Sequence, residues 1–226
     1  LRMPTFTDLY YAGPTNIGNP DLKPEKTSAL EGGMKLSSKI VHGHVILYHR
    51  TGTNLIDWIK TGEDQLWKAM NHTEISSQGI ELNFLLLTGI QFNKNFTDRI
   101  EVGYMFNRQQ KEDGPFISYY VLDNLKHKFV ASVTRYVTEK FSLNARAIYQ
   151  DREGTFNYYD GSSYQGEADY RSFWIFDVKA AYHLKYLAVF VSANNLFDLQ
   201  YYDIGNIVQP GRWIKTGISY TYTTGQ

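Results

Sequence analysis

Nine stretches of the chain alternate apolar side chains with polar or small ones, and most run for ten residues or more. Alternation at period two places every second side chain on one face of a β-strand. Strands in globular sheets average about 5–6 residues, whereas a tilted strand needs about 9–11 to cross a bilayer. Length and alternation together point to an extended antiparallel sheet with one apolar face.

Taken in order, residues 1–25 carry Pro4, Pro14, Pro20 and Pro24 with Gly13 and Gly18, and read as an irregular loop. Strands are then expected over about 27–36, 40–51, 75–92, 96–107 and 126–136. Further strands are expected from Phe141 to Gln150, from Trp174 to His183, from Leu187 to Ala193 and from Ile214 to Tyr222. Residues 52–73 are expected to be a connection, with Asn54–Trp58 able to prolong the strand before it. In the clearest case Trp174, Phe176, Val178, Ala180 and Tyr182 share one face, and Asp177, Lys179 and His183 the other. On the last strand Ile214, Ile218, Tyr220 and Tyr222 oppose Lys215, Gly217, Ser219 and Thr221.

The connections sort by length. Short turns at Ser37-Ser38-Lys39, Asn93-Lys94-Asn95, Thr138-Glu139 and Leu184-Lys185-Tyr186 alternate with long segments. Tight turns on one side and long loops on the other is how an outer-membrane barrel is built, so the expected fold is all-β, an antiparallel transmembrane β-barrel. Bacterial barrels close with an even number of strands, so nine are expected to be the C-terminal part of a larger one; plugged transporters have about 22. The chain opens at Leu1 without an initiating Met, as a processed or partial chain would.

Composition agrees. Aromatics are 15% of residues, 18 of them Tyr, the amphipathic ring suited to a membrane interface or a binding surface. Net charge is zero, which gives no basic excess for nucleic acid, and without cysteine there is neither a disulfide nor a thiolate metal site.

Two ordered motifs resemble a known family. The first is Arg2-Met3-Pro4 with Asp8-Leu9-Tyr10 and then Gly18-Asn19-Pro20-Asp21-Leu22-Lys23-Pro24-Glu25. The second is Asn194-Asn195-Leu196-Phe197-Asp198, followed by Gly211-Arg212-Trp213 and Gly217-Ile218-Ser219-Tyr220-Thr221-Tyr222. Both are similar to segments of TonB-dependent outer-membrane receptors, and the resemblance covers residues 1–226 as the C-terminal portion of the barrel. It implies that the plug domain and the first barrel strands lie elsewhere in the protein. It further implies uptake of a large, scarce ligand such as a ferric siderophore, haem or cobalamin, driven by the TonB complex acting on that plug. Residues Tyr201–Trp213 resemble receptors for cobalamin or related chelates in Bacteroidetes. Localisation in the outer membrane of a Gram-negative bacterium, contact with its lipids, and recognition by the assembly machinery through Gly217, Tyr220 and Tyr222 are implied in the same way. Thr223–Gln226 depart from the family, which usually ends on the last aromatic.

No phosphate loop, zinc-protease motif or nucleophile elbow occurs, so neither an enzyme nor a cofactor is expected. His42 and His44 fall on one strand face with His49 further along; chelation is geometrically possible, but histidines of a lumen or girdle need no ion, and no metal is expected. Asn71-His72-Thr73 and Asn95-Phe96-Thr97 match the glycosylation pattern, idle in a bacterial outer membrane. Acid pairs such as Asp151 with Glu153 read as solvated charge. The candidate ligand surface is aromatic: Tyr10, Tyr11, Tyr119, Tyr120, Tyr158, Tyr159, Tyr164, Tyr201 and Tyr202 lie in or beside the long loops. Each could equally belong to an interfacial girdle. The loops at 109–124, 151–169 and 197–211 are expected on one rim. Arg146, Asp177, Lys179 and Arg212 are expected to face the lumen. A competing reading is an adhesin or structural barrel that transports nothing.

Overall fold

A computed structural model describes residues 1–62, 65–88, 98–111, 117–118, 124–205 and 207–222. Tyr119, Tyr120, the 95–97 sequon and Thr223–Gln226 lie outside the described residues. The elements in order are α1 (Phe6–Tyr10), β1 (Asn16–Ile17), β2 (Lys26–Ser37), β3 (Val41–Lys60), β4 (Trp67–Thr88) and β5 (Asp98–Lys111). There follow β6 (Ile117–Ser118), β7 (Leu125–Tyr136), β8 (Phe141–Arg152), β9 (Thr155–Asp160) and β10 (Ser163–Asp169). The last are β11 (Phe173–His183), β12 (Leu187–Asn194), β13 (Tyr202–Ile204), β14 (Ile207–Val208) and β15 (Trp213–Tyr220). All nine expected strands are present, and the described residues are all-β apart from one short helix.

The chain divides into two compact units, the first made of Leu1–Gly32, Ile46–Ile80 and Asn107–Asn124. In it the proline-rich start is ordered rather than irregular. Thr5 caps α1 reciprocally with Asp8, each side chain accepting the other's backbone N–H. The guanidinium of Arg2 donates to Glu25 at 2.7 Å, and the same carboxylate oxygen accepts the Ile56 N–H at 3.0 Å. Asn71 binds the chain at Lys23 through both its side-chain atoms and donates to the Asn54 carbonyl at 2.6 Å. Side chains thereby satisfy a backbone that prolines keep out of a ladder. Leu22, Ile56, Trp58 and Ala69 form a small core with Leu9 and Trp67 against it.

That core corrects the expectation for residues 52–73. Strand β3 continues to Lys60 and β4 starts at Trp67, leaving only residues 61–66 between them. Ile56, Asp57, Trp58 and Ile59 are all buried, so alternation is lost where both faces are covered.

The second unit comprises Gly33–Val45, Glu81–Phe106 and Leu125–Gln226. Its wall runs in the strand order β15-β12-β11-β8-β7-β5. Every pair from β5 to β15 along that path is antiparallel with a continuous register apart from one shift near Leu125. Val178 stands opposite Ala145, Ala145 opposite Val133, and Val133 opposite Ile100, an apolar row across four strands. Asp177 opposite Arg146, Arg146 opposite Ser132 and Ser132 opposite Glu101 make the row on the other face. The apolar face is uncovered: Trp174, Val178, Val189, Val191 and Ile218 are all exposed. A water-soluble sheet would bury this face; here the apolar side chains look outward.

The short connections are tight turns at residues 137–140 and 184–186. Two of the long ones fold into hairpins of their own, β9–β10 and β13–β14.

Candidate functional site

The polar face of the wall gathers the charges expected of a lumen. Arg146, Asp177 and Lys179 share it, with Ser192 opposite Lys179 and Lys215 opposite Ser192. A hollow of about 630 Å³ opens on it, lined among others by Lys35, His42, His44, Asn83, Glu101 and Arg146. His44 Nε2 lies 3.3 Å from Asn83 Nδ2 and His42 Nδ1 lies 3.1 Å from the Ser37 hydroxyl. Among the described residues no group of three or more metal-binding side chains is gathered. Arg212 is not on a strand; it is exposed in the loop after β12, and its backbone N–H donates to Asp198 at 2.6 Å.

The Asn-Leu-Phe-Asp motif is a clamp at the base of the loop from Asn195 to Arg212. Asn195 is 4% exposed and sits at φ 48°, a left-handed conformation that Asn tolerates. Its Nδ2 donates to the carbonyls of Leu199 at 2.8 Å and Pro210 at 3.3 Å, and its Oδ1 accepts the Leu199 N–H at 2.9 Å. Its own N–H donates to Asp177 at 2.9 Å. Asp198, also at positive φ, reaches across to Arg212, and a side chain at Gly211 would collide with its carboxylate. One buried amide thus ties both ends of the loop to the wall. Asp177, expected only as a lumen charge, is part of the tie.

The same unit brings two of the three long loops together. Phe156 of β9 packs on Tyr170 at 4.9 Å and on Tyr202 at 5.3 Å. Arg152 pairs with Asp203 at 3.1 Å, and the Tyr170 hydroxyl accepts the Gly205 N–H at 2.7 Å. Tyr201 packs on Phe173 at a tilt, with centroids 4.5 Å apart. Burial raises the Tyr201 pKa, with the negative charges of Asp203 and then Asp177 adding to it. A cleft of about 790 Å³ lies between the loops, with Phe156, Tyr158, Arg171, Trp174, Gln200 and Tyr202 in its lining. Tyr201 lines this cleft and also a smaller hollow of about 280 Å³ beside Gln150, Asp203 and Trp213.

The structure separates tyrosines that adjoin in sequence. Tyr158 turns into the cleft, whereas Tyr159 pairs at 5.4 Å with Tyr164, both exposed. In the first unit Tyr10 packs on Phe6 at 5.2 Å and Tyr11 meets Trp58 edge-on at 6.4 Å. Asn195, Tyr170 and Arg152 were not singled out as site residues. The Asn-Asn pair signalled a turn, but the hydrogen-bond partners of Asn195 are up to eighteen residues away.

Residues 1–196 match the family described as TonB dependent receptor-like, beta-barrel. The chain is 26% identical over 203 residues to the vitamin B12 transporter BtuB of Vibrio vulnificus, covering 89% of this chain and 29% of that protein. The BtuB of Photobacterium profundum is also 26% identical, over 208 residues, with 30% of it covered. The chain thus spans under a third of the curated relatives it matches. Among solved structures, the copper transporter OprC aligns with a TM-score of 0.69 at 15% identity, over 98% of this chain and 35% of that one. The FrpB iron transporter from Neisseria meningitidis aligns at 0.64 and 16% identity, over 91% and 32%. These structures share its fold. This chain belongs to the TonB-dependent receptor β-barrel family.

Proposed function

We propose that residues 1–226 form the C-terminal barrel wall and outer loops of an outer-membrane receptor that imports a large chelate. Energy would come through a plug and the TonB complex, as in the family. What carries the reading is the segregation of the wall into one continuous apolar and one continuous polar face, capped by clamped aromatic loops. The apolar rows face lipid; Arg146, Asp177 and Lys179 face the lumen, and Arg212 stands at its rim. The exposed pair Tyr159 and Tyr164, the half-buried Tyr201, and Tyr10 and Tyr11 are ring platforms for a ligand. Tyr119 and Tyr120 keep that assignment on sequence grounds alone. Among the family's ligands, the curated relatives named vitamin B12 transporters support a corrinoid.

The test is equilibrium binding of cyanocobalamin to the full-length receptor in detergent, with a ferric siderophore as competitor. Replacing Tyr159 and Tyr164 together by Ala should weaken binding by about 1–3 kcal/mol without lowering folded yield. Displacement of cyanocobalamin by the siderophore would favour an iron chelate. Absence of binding by either would favour an adhesin or structural barrel.

A further inference from the structure

We propose that the 790 Å³ cleft between the β9–β10 hairpin and residues 199–202 holds the phosphorylated sugar headgroup of one glycolipid from the surrounding membrane leaflet. Its position comes first. Trp174 stands opposite Tyr149, Tyr149 opposite Phe129, and Phe129 opposite Tyr104, an aromatic row on the apolar face. Tyr182 opposite Phe141, and Tyr220 opposite Leu187, mark a second level toward the other end of the strands. From Trp174 to Tyr182 the strand rises about 26 Å, or about 20 Å along the membrane normal at a tilt of about 40°. That approaches the apolar band between two interfacial girdles, so Trp174 marks headgroup level.

The cleft is continuous with this lipid-facing wall. Phe197 meets Phe176 edge-on at 5.4 Å, and both Phe197 and Leu199 are exposed, so the loop adds apolar side chains to the wall instead of hiding them. At the polar end, Asp169, Arg171, Ser172 and Gln200 are exposed, and their side chains make no hydrogen bond or ion pair among the described residues. Neighbouring cations are engaged: Arg152 with Asp203 and Lys126 with Glu153. An unpaired guanidinium suits a phosphate. Asp169 beside it opposes a bare anion but accepts hydroxyls, as Gln200 and Ser172 can, while Tyr158 and Trp174 offer ring faces to a pyranose. An anionic lipid without a sugar leaves those groups unmatched, and a free sugar leaves the Phe197–Leu199 track unused.

The experiment titrates the delipidated full-length receptor with diphosphoryl lipid A in detergent, reading bound lipid by native mass spectrometry. Phosphatidylglycerol and the deacylated diphosphorylated disaccharide serve as reference probes. Lipid A should bind about tenfold more tightly than either. Arg171→Gln and Tyr158→Ala should each remove most of that preference while heat-modifiable mobility stays unchanged. Lys185→Glu, at the opposite turn, should leave it intact. Equal binding of lipid A and phosphatidylglycerol, or wild-type binding by both cleft variants, would overturn the proposal; disaccharide binding as tight as lipid A would make the cleft a sugar site without lipid. The proposal rests on the apolar face meeting lipid, which substitution at Val189 tests separately through assembly.

Discussion

Asn195→Ala should release the loop between β12 and β15 while leaving the wall folded. The substitution deletes three side-chain hydrogen bonds, two to Leu199 and one to Pro210. Each contributes about 0.5–1.5 kcal/mol net, and a Leu199 N–H left without a partner costs about 1–3 kcal/mol. Ala at the positive φ of residue 195 adds about 1 kcal/mol. The terms overlap, so loop closure should weaken by roughly 3–4 kcal/mol, about two to three decades in local opening. Hydrogen exchange of the full-length receptor in detergent reads this directly: amides at 197–211 should lose protection, and those of β11 and β12 should keep theirs. Protection at 197–211 within about threefold of wild type would refute the argument. Equal loss along β11 would show that Asn195 supports the wall rather than the loop. Two further variants separate the contributions. Asn195→Gly removes the conformational strain but not the lost bonds, and should fall between wild type and Ala. Asn195→Asp keeps the acceptor for Leu199 but sets a carboxylate against two carbonyls and near Asp177, and should be no better than Ala.

Val189→Arg places a cation on the exposed apolar face and should cost assembly by roughly 2–4 kcal/mol at mid-depth, whereas Ser192→Arg, on the polar face beside Lys179, should cost much less; the reverse order in folded yield would invert the facing. Tyr222→Ala should lower the heat-modifiable folded fraction, and removal of residues 223–226 should not; equal loss would extend the assembly signal to the end of the chain. Burial raises the Tyr201 pKa above the ordinary tyrosine value of 10.0, so below pH 10 its neutral form suits both folded and open loop. As pH climbs past 10 the open form ionises first and loop stability falls, an effect that Tyr201→Phe should abolish in exchange measured across that range.

The wall was legible because alternate residues along its strands differ in polarity, so each face could be sorted from the sequence alone. Trp174, Phe176 and Val178 against Asp177 and Lys179 needed no partner to be sorted, and the register then aligned Asp177 with Arg146. Legibility ended where that alternation ended. At Ile56–Ile59 four consecutive residues are buried because Leu22 and Ala69 cover one side, so the pattern read as a connection. Residues 1–25 read as irregular for a related reason: their order comes from Arg2, Glu25 and Asn71 reaching across chain separations that local pattern does not register.

The loops show why aromatic content alone could not assign a ligand surface. Asp160-Gly161 is a hairpin turn signal between aromatic runs, with Gly161 at φ 61°, so β9 and β10 were within reach of turn chemistry. Their facing was not. Period two already sends Tyr158 and Tyr159 to opposite sides, and the direct pairing of Tyr164 with Tyr159 across the hairpin puts those two rings on one side. A pair adjoining in sequence is therefore divided between two environments, one a cleft beside the apolar face of the wall and the other the exposed surface. Removing both rings at once would mix the proposed lipid contact with the proposed ligand contact. Only single substitutions, read against lipid A for Tyr158 and against cyanocobalamin for Tyr159, can separate the two roles.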